Sequence, residues 1–471
     1  MNCLLVLLLS SFLINETEWS PLIDISQGWF ENSLPTAISA NSDTVWTFFQ
    51  EMYNVQSSGD VFGITYTVED VLGQKQNISR KEDRYNGHAI GCIDDLNRIW
   101  VVWNENYNYM TSIHGKYRDG GNWSSDIKIS GDNIKCWWPY AQIDSTKRLN
   151  IIYCNDFSST IQNIVLVTYK STEGFSNPLF ISNESYYDHD PSLTPGNNGK
   201  VMIAWERHFD SDNCKILYSI GEKEAFSIPD TIAEAPSGIK DCEVDISYYK
   251  GRYHAFWTRM NNAGEQYLLW SNLDPQTAKW TNPQRIDDGY KEQRAKSLNS
   301  SYSGRLYVAY TIIENDRAYR RIAVKYYDGE QWSNREFLTE EDKTCDHVYL
   351  TNWGNSIWAV FCHLENNNSR IYARYLKQNA SFNKKRIIKA EKSPCTILFE
   401  NPVRRNSHIN LESVNDGRMI IIDLNGKVKE SIYLAKGKSR IRCNLSSGVY
   451  YFVFESSGSA IKTVKKAVVI E

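Results

Sequence analysis

One stretch, Ile99-Trp-Val-Val-Trp103, returns along the chain at a nearly constant interval. Val45 to Phe49, Leu149 to Tyr153, Val201 to Trp205, Tyr253 to Trp257, Leu306 to Tyr310 and Ile357 to Phe361 share its shape, each closing on an aromatic. Successive terminal aromatics are 54, 50, 52, 52, 53 and 51 residues apart. β-Branched and aromatic residues in an unbroken run suit a strand buried on both faces. Seven such runs at one period predict a repeat architecture in which each unit buries its neighbour.

The surroundings of each run repeat too. In residues 86 to 130 an inner run, His88 to Asp94, precedes the core strand. A third strand follows from Ser112 to Tyr117, and Asp119-Gly-Gly-Asn122 turns the chain into Trp123 to Ser130. Gly and Asn in that turn supply the positive φ of a tight hairpin. The last element returns as Trp19 to Ser26, Phe175 to Ser182, Trp280 to Ile286 and Trp332 to Leu338, with Pro in three of these four segments. Proline lacks a ladder donor and belongs on an edge strand. Four antiparallel strands per unit, the outermost polar, predict an all-β chain with a seven-bladed β-propeller over residues 19–392. Trp19 to Ser26 is a surplus outer strand able to close the ring on the last blade, and Phe382 to Lys389 competes for that place.

The 471 residues carry a net charge of -4 and 13% aromatics at a mean hydropathy of -0.49. That excludes a basic field for nucleic acid and a disordered chain. Residues 1–17 hold an apolar segment of signal-peptide length, too short to span a bilayer and lacking a basic start. Nothing later is long and apolar enough to cross a membrane. Export predicts disulfides among the ten cysteines: Cys136 with Cys154, Cys345 with Cys362, and Cys214 with Cys242 between two blades.

After Pro394 the rhythm stops, and short strands with turns at Asn425-Gly426 and Ser446 to Gly448 predict a small Ig-like β-sandwich. Asn401-Pro402, Asp423 to Gly426, Gly448 to Val453 with Tyr450, and Lys465-Lys466 running to Ile470 keep the order of a known pattern. In these residues the segment 396–471 resembles the C-terminal sorting domain of type IX secretion cargo. The resemblance implies export, recognition by type IX secretion machinery, and an extracellular or outer-membrane-surface location. The weak signal segment departs from that family. The turns Asp119 to Trp123 and Asp328 to Trp332 make the blades similar to those of sialidase-like propellers. The full Asp-box and the Arg-Ile-Pro motif of sialidases are absent, and sialidases use six blades.

In a propeller, the loops before the inner strands and after the core strands share one face, around the central channel. Here they bring Trp137, Trp138, Tyr187, His189, Arg84, Arg207, Arg259 and Arg294 together as candidate ligand-binding residues. Rings to lie on a sugar's apolar face, beside carboxylates and Arg forks for its hydroxyls, suit a glycan or surface polysaccharide. The arginines of this face, Arg317 included, resemble the cluster that holds a carboxylate in sialidases. Glu206, Asp190 and Glu105 are the candidate acids for a hydrolase or lyase; a protein-interaction platform is a third reading. Asp188-His189-Asp190 makes a poor metal site, because adjacent residues of an extended chain point apart. No metal site, cofactor or diagnostic catalytic motif is read here, and a monomer is expected.

Overall fold

The computed structural model describes residues 18–377 apart from 29–30, 55–57, 82, 132–134, 159, 183–184, 211–212, 237, 262, 288–289, 301–303, 315–318, 355 and 366–367. It also describes 395–470 apart from 399–402, 405–407, 414–415, 424–426, 443–444, 457–461. Side chains of 290–300 and of most of 395–415 and 454–470 lie outside the description. The chain divides into two compact units between Gln378 and Asn379. The expected boundary at 392, the signal segment 1–17 and the competing strand Phe382 to Lys389 all fall outside the described residues. No helix among the described residues is long and apolar enough to cross a membrane.

The larger unit is a β-propeller. Its described residues form seven four-stranded antiparallel units, each running inner, core, third and outer strand. The inner strands are Glu31–Ser39, Tyr85–Ile93, Lys135–Ile143, Tyr187–Pro195, Lys240–Tyr249, Tyr290–Ser300 and Thr344–Trp353. Each lies against the next, and the last returns to the first. Closure is direct: Trp358 of the seventh core strand donates its indole N–H to the Thr47 hydroxyl of the first at 3.2 Å. The seventh unit takes its outer strand from the start of the chain, as Glu18–Trp19 and Ile23–Asp24 pair with Asn368–Lys377.

Each core strand is buried on both faces because alternate residues serve two cores. In the fourth unit Val201, Ile203 and Trp205 pack with Ile152, Cys154 and Ile164 of the third. Met202 and Ala204 pack toward Ile246, Ala255 and Trp257 of the fifth. Each large apolar side chain buried this way contributes about 1.5–3 kcal/mol.

Five of the outer strands are broken in two, and a proline lies in each gap except that of the second unit, where Asn122–Trp123 and Ile127–Lys128 part without one. Pro21, Pro178 and Pro283 lie between the short pieces Glu18–Trp19 and Ile23–Asp24, Gly174–Phe175 and Leu179–Phe180, and Lys279–Trp280 and Gln284–Arg285. Where the ladder lapses, hydroxyls take over. Ser20, Ser124, Ser176, Ser227 and Ser333 each accept a third-strand N–H with Oγ, and Thr281 does so with Oγ1. At the far end Ser26, Ser79, Ser130, Ser182 and Thr339 repeat the arrangement on Ile371, Val61, Ile113, Ile164 and Ile322. The Asp119 to Trp123 turn has the expected positive φ at Gly120 (54°) and Gly121 (94°).

The within-unit disulfides are corrected by the register. Cys136 stands opposite Asn155, one place from Cys154, so the two side chains leave opposite faces of the sheet. Cys136 enters the core shared with the second unit and Cys154 the core shared with the fourth. Cys345 opposite His363 and Cys362 opposite Asp346 are offset in the same way, into different cores. The expected link between units four and five is absent too: no disulfide joins Cys214 and Cys242 in this structure.

The smaller unit holds two sheets. One joins Cys395–Leu398, His408–Ser413 and Gly437–Arg442; the other orders Val403–Arg404, Lys462–Ile470, Gly448–Ser456, Gly417–Asp423 and Val428–Leu434. Asp423 accepts the Lys427 N–H at 3.0 Å to shape its turn, and it stands opposite Tyr450. Tyr450 donates its hydroxyl to the Ser446 carbonyl at 3.0 Å. Lys465 and Lys466 lie on the terminal strand; Asn401, Pro402 and Gly426 fall outside the described residues.

Candidate functional site

Six inner strands carry the same irregularity. Register slips by one residue between Ser33 and Thr36, Gly87 and Ile90, Trp137 and Tyr140, His189 and Ser192, Cys242 and Asp245, and Asp346 and Tyr349. Inside each slip one non-glycine residue is left-handed: Leu34, His88, Trp138, Asp190, Glu243 and His347, all with φ between 50° and 54°. L-residues enter that region at a cost of about 1–2 kcal/mol each. The six bulges surround a cavity of about 750 Å³ at the mouth of the channel. Glu206 of the fourth core strand joins its wall, and Tyr140, Tyr349, Ser192 and Asp245 line it further in.

The rings of the cavity wall touch one another. His88 meets Trp138 edge-on with centroids 4.0 Å apart, and Trp138 meets His189 at 5.4 Å. His189 stacks on Tyr187 at 5.6 Å. Burial, with His347 and His189 nearby, pulls His88 down to about 4, so its ring is neutral at pH 7. Burial would do the same to His189, but a 3.0 Å contact from its Nδ1 to the Glu206 carboxylate outweighs it and raises the pKa. Burial works against the Glu206 charge as well. The His189 and His208 contacts and the Glu243 N–H, 3.0 Å from Oε2, draw its pKa below the usual carboxylate range. One cavity thus holds a neutral imidazole, a histidine–carboxylate pair and an indole.

Of the residues singled out in the sequence, Trp138, His189, Asp190 and Glu206 line this cavity. Tyr187 backs His189 from behind. Trp137 turns away, its indole N–H bonded to Asp156 at 2.9 Å. The arginine forks are already taken. Arg207 clasps Asp188 at 2.7 and 2.8 Å, and Arg259 clasps Asp241 with two bonds of 2.7 Å. Arg84 bonds Glu105, which Lys81 also reaches at 2.5 Å, so Glu105 is a neutralised structural carboxylate away from the cavity. The side chain of Arg294 and residues 315–318, Arg317 among them, lie outside the description. His88, Glu243, His347 and Tyr349 also line the cavity and are not among the candidate residues of the sequence reading.

No family model matches this chain, and no curated protein matches it by sequence. Solved structures do match in fold. An ulvan lyase, described as a new family of polysaccharide lyase PL25 and bound to -[GlcA(1-4)Rha3S]-, superposes with a TM-score of 0.58. Identity is 8%, over 78% of this chain and 99% of the lyase. The BP39L lectin from Burkholderia pseudomallei superposes with a TM-score of 0.53 at 11% identity, over 74% of this chain and 96% of the lectin. At such identities the likeness establishes the propeller fold.

Proposed function

We propose that this protein binds a glycan or surface polysaccharide in the cavity at the channel mouth. The observation that carries the reading is the cavity itself, whose 750 Å³ lie in the range of small-ligand sites. Trp138 and the histidine rings offer flat apolar faces, and Glu206, Glu243 and Asp190 offer acceptors for hydroxyls. Two propellers of similar fold, one a polysaccharide lyase and one a lectin, support the glycan theme. A glycan array followed by calorimetry tests it. Trp138→Ala loses binding at least tenfold, about 1.4 kcal/mol, while Trp137→Ala on the averted neighbour keeps it. Equal behaviour of the two variants refutes the assignment.

A second reading, glycan cleavage, draws on the neutral His88 beside the His189–Glu206 pair, because acid–base chemistry needs both protonation states in one cavity. Release of new chain ends from a bound polysaccharide, abolished by His88→Gln and by Glu206→Gln, separates cleavage from binding.

The chain acts, on this reading, as a monomer on the cell exterior, exported by type IX-like machinery through residues 396–471. Support comes from the ordered series of Asp423, Gly448, Tyr450 and the terminal Lys465-Lys466 strand. Fractionation of cells expressing the full chain and one ending at Lys392 tests it: the shortened chain stays inside.

A further inference from the structure

Three side chains of the fourth unit converge beside the cavity. Pairing of Val201–Asp210 with Asn213–Glu222 sets His208 opposite Cys214, and the two-residue period puts Glu206 on the same face. That face looks toward the fifth unit, since Ala204 and Ile216 on it share a core with Val244 and Trp257. The carboxylate, imidazole and thiol donor atoms lie within 4.8 Å of one another. His208 Nε2 is 3.4 Å from Glu206 Oε1. Glu206 and Cys214 are buried, while the His208 side chain is 37% exposed and meets the Tyr187 ring edge-on.

We propose that Glu206, His208 and Cys214 bind a divalent transition-metal ion of the zinc class. Thiolate and imidazole select such an ion over magnesium or calcium, which demand oxygen ligands. Metal–ligand bonds of about 2.0–2.3 Å set tetrahedral donors roughly 3.3–3.8 Å apart. The cluster therefore needs to contract by about 1 Å, within reach of a rotation at His208. Its support is in place: the Glu243 N–H holds one carboxylate oxygen and His189 Nδ1 lies 3.0 Å from the other.

A similar triad, Glu105, His114 and Asp126, is a useful contrast. There the Lys81 ammonium contacts both carboxylates and Arg84 contacts Glu105, so the positive charge is already supplied by the chain. Around Glu206 the described contacts are imidazoles and a backbone N–H instead. Because Glu206 also lines the cavity, a bound ion would lie in its wall; the site stands whether or not a glycan binds there.

The test uses the full chain, stripped with a chelator and reloaded with zinc or cobalt(II). One equivalent of zinc is retained after gel filtration, and the cobalt form shows a thiolate-to-cobalt charge-transfer band. Cys214→Ser abolishes that band, and Cys345→Ser, a buried thiol elsewhere, leaves it intact. His208→Gln, at a partly exposed position, weakens zinc affinity about tenfold or more. The proposal is overturned if the folded chain retains no stoichiometric zinc and shows no band, or if the band survives in Cys214→Ser. A Cys214–Cys242 disulfide in a non-reducing peptide map overturns it as well.

Discussion

The indole N–H of Trp270 donates to Nδ1 of His254 over 3.1 Å, which places the imidazole proton on Nε2 and keeps the ring neutral. Burial, the main cause, lowers the pKa of His254 to about 4, as it does for His88 in the cavity wall. Both rings bind a proton less readily folded than unfolded. Between pH 6.5 and about 4 the unfolded chain therefore holds more protons, and acidification favours it. Their stabilisation is complete above pH 6.5 and falls by about 3 kcal/mol per ring as pH drops to 4. Urea titrations at pH 7.5 and 4.5 measure the loss, and His254→Gln flattens it. An unchanged slope in that variant would show that His254 does not drive it.

Buried hydroxyls cap the broken outer strands, and their removal strands an amide. Ser182→Ala leaves the Ile164 N–H without the Oγ that accepts it at 2.9 Å. The expected cost is about 1–3 kcal/mol, read as a lower urea midpoint at constant slope. Ser26→Ala does the same at the ring closure through Ile371. Alanine at the exposed Ser158 shifts the midpoint far less.

Asp188 and Arg207 face each other across the fourth unit, nearly sealed from water, with side-chain exposures of 0% and 5%. Asp188→Asn removes this carboxylate charge from beside the buried guanidinium and costs about 3–5 kcal/mol. Calorimetric melting checks this. A loss below 1 kcal/mol would place the pair with ordinary surface bridges.

Cysteine mapping provides an independent check on the register. Alkylation under denaturing, non-reducing conditions modifies Cys136, Cys154, Cys345 and Cys362, and no peptide linked through 136–154 or 345–362 appears. Either linked peptide would require the paired strands to slip by one residue.

The propeller class is legible because core strands sandwiched between two neighbours are apolar at most positions on both faces, as in Ile99 to Trp103, and that signal survives without an alignment. The bulges leave no such mark. Leu, His, Trp, Asp, Glu and His occupy one left-handed place, so residue type does not reveal the conformation. Yet a one-residue slip decides which of two neighbours meets the channel: Trp138 does, Trp137 does not. The arginines misled for a simpler reason. Arg207 and Arg259 stand directly opposite Asp188 and Asp241. Each lies two residues past the core aromatic, opposite an aspartate two residues before the bulge. That spacing is present in the sequence and identifies them as cross-strand pairs. The serines were visible too, at the ends of Trp19 to Ser26 and Phe175 to Ser182, but their role depends on a ladder gap that only the fold reveals.

The strand from Glu18 to Asp24 is made first and used last. Its hydrogen-bonding partner, Asn368 to Lys377, is translated some 350 positions later, as the Asp24–Arg370 contact illustrates with a separation of 346. Until then the opening segment has nowhere to dock, and the ring can latch only when synthesis of the seventh unit ends. Tension on either terminus of the propeller would load that same seam, making it both the final stitch and the first to give.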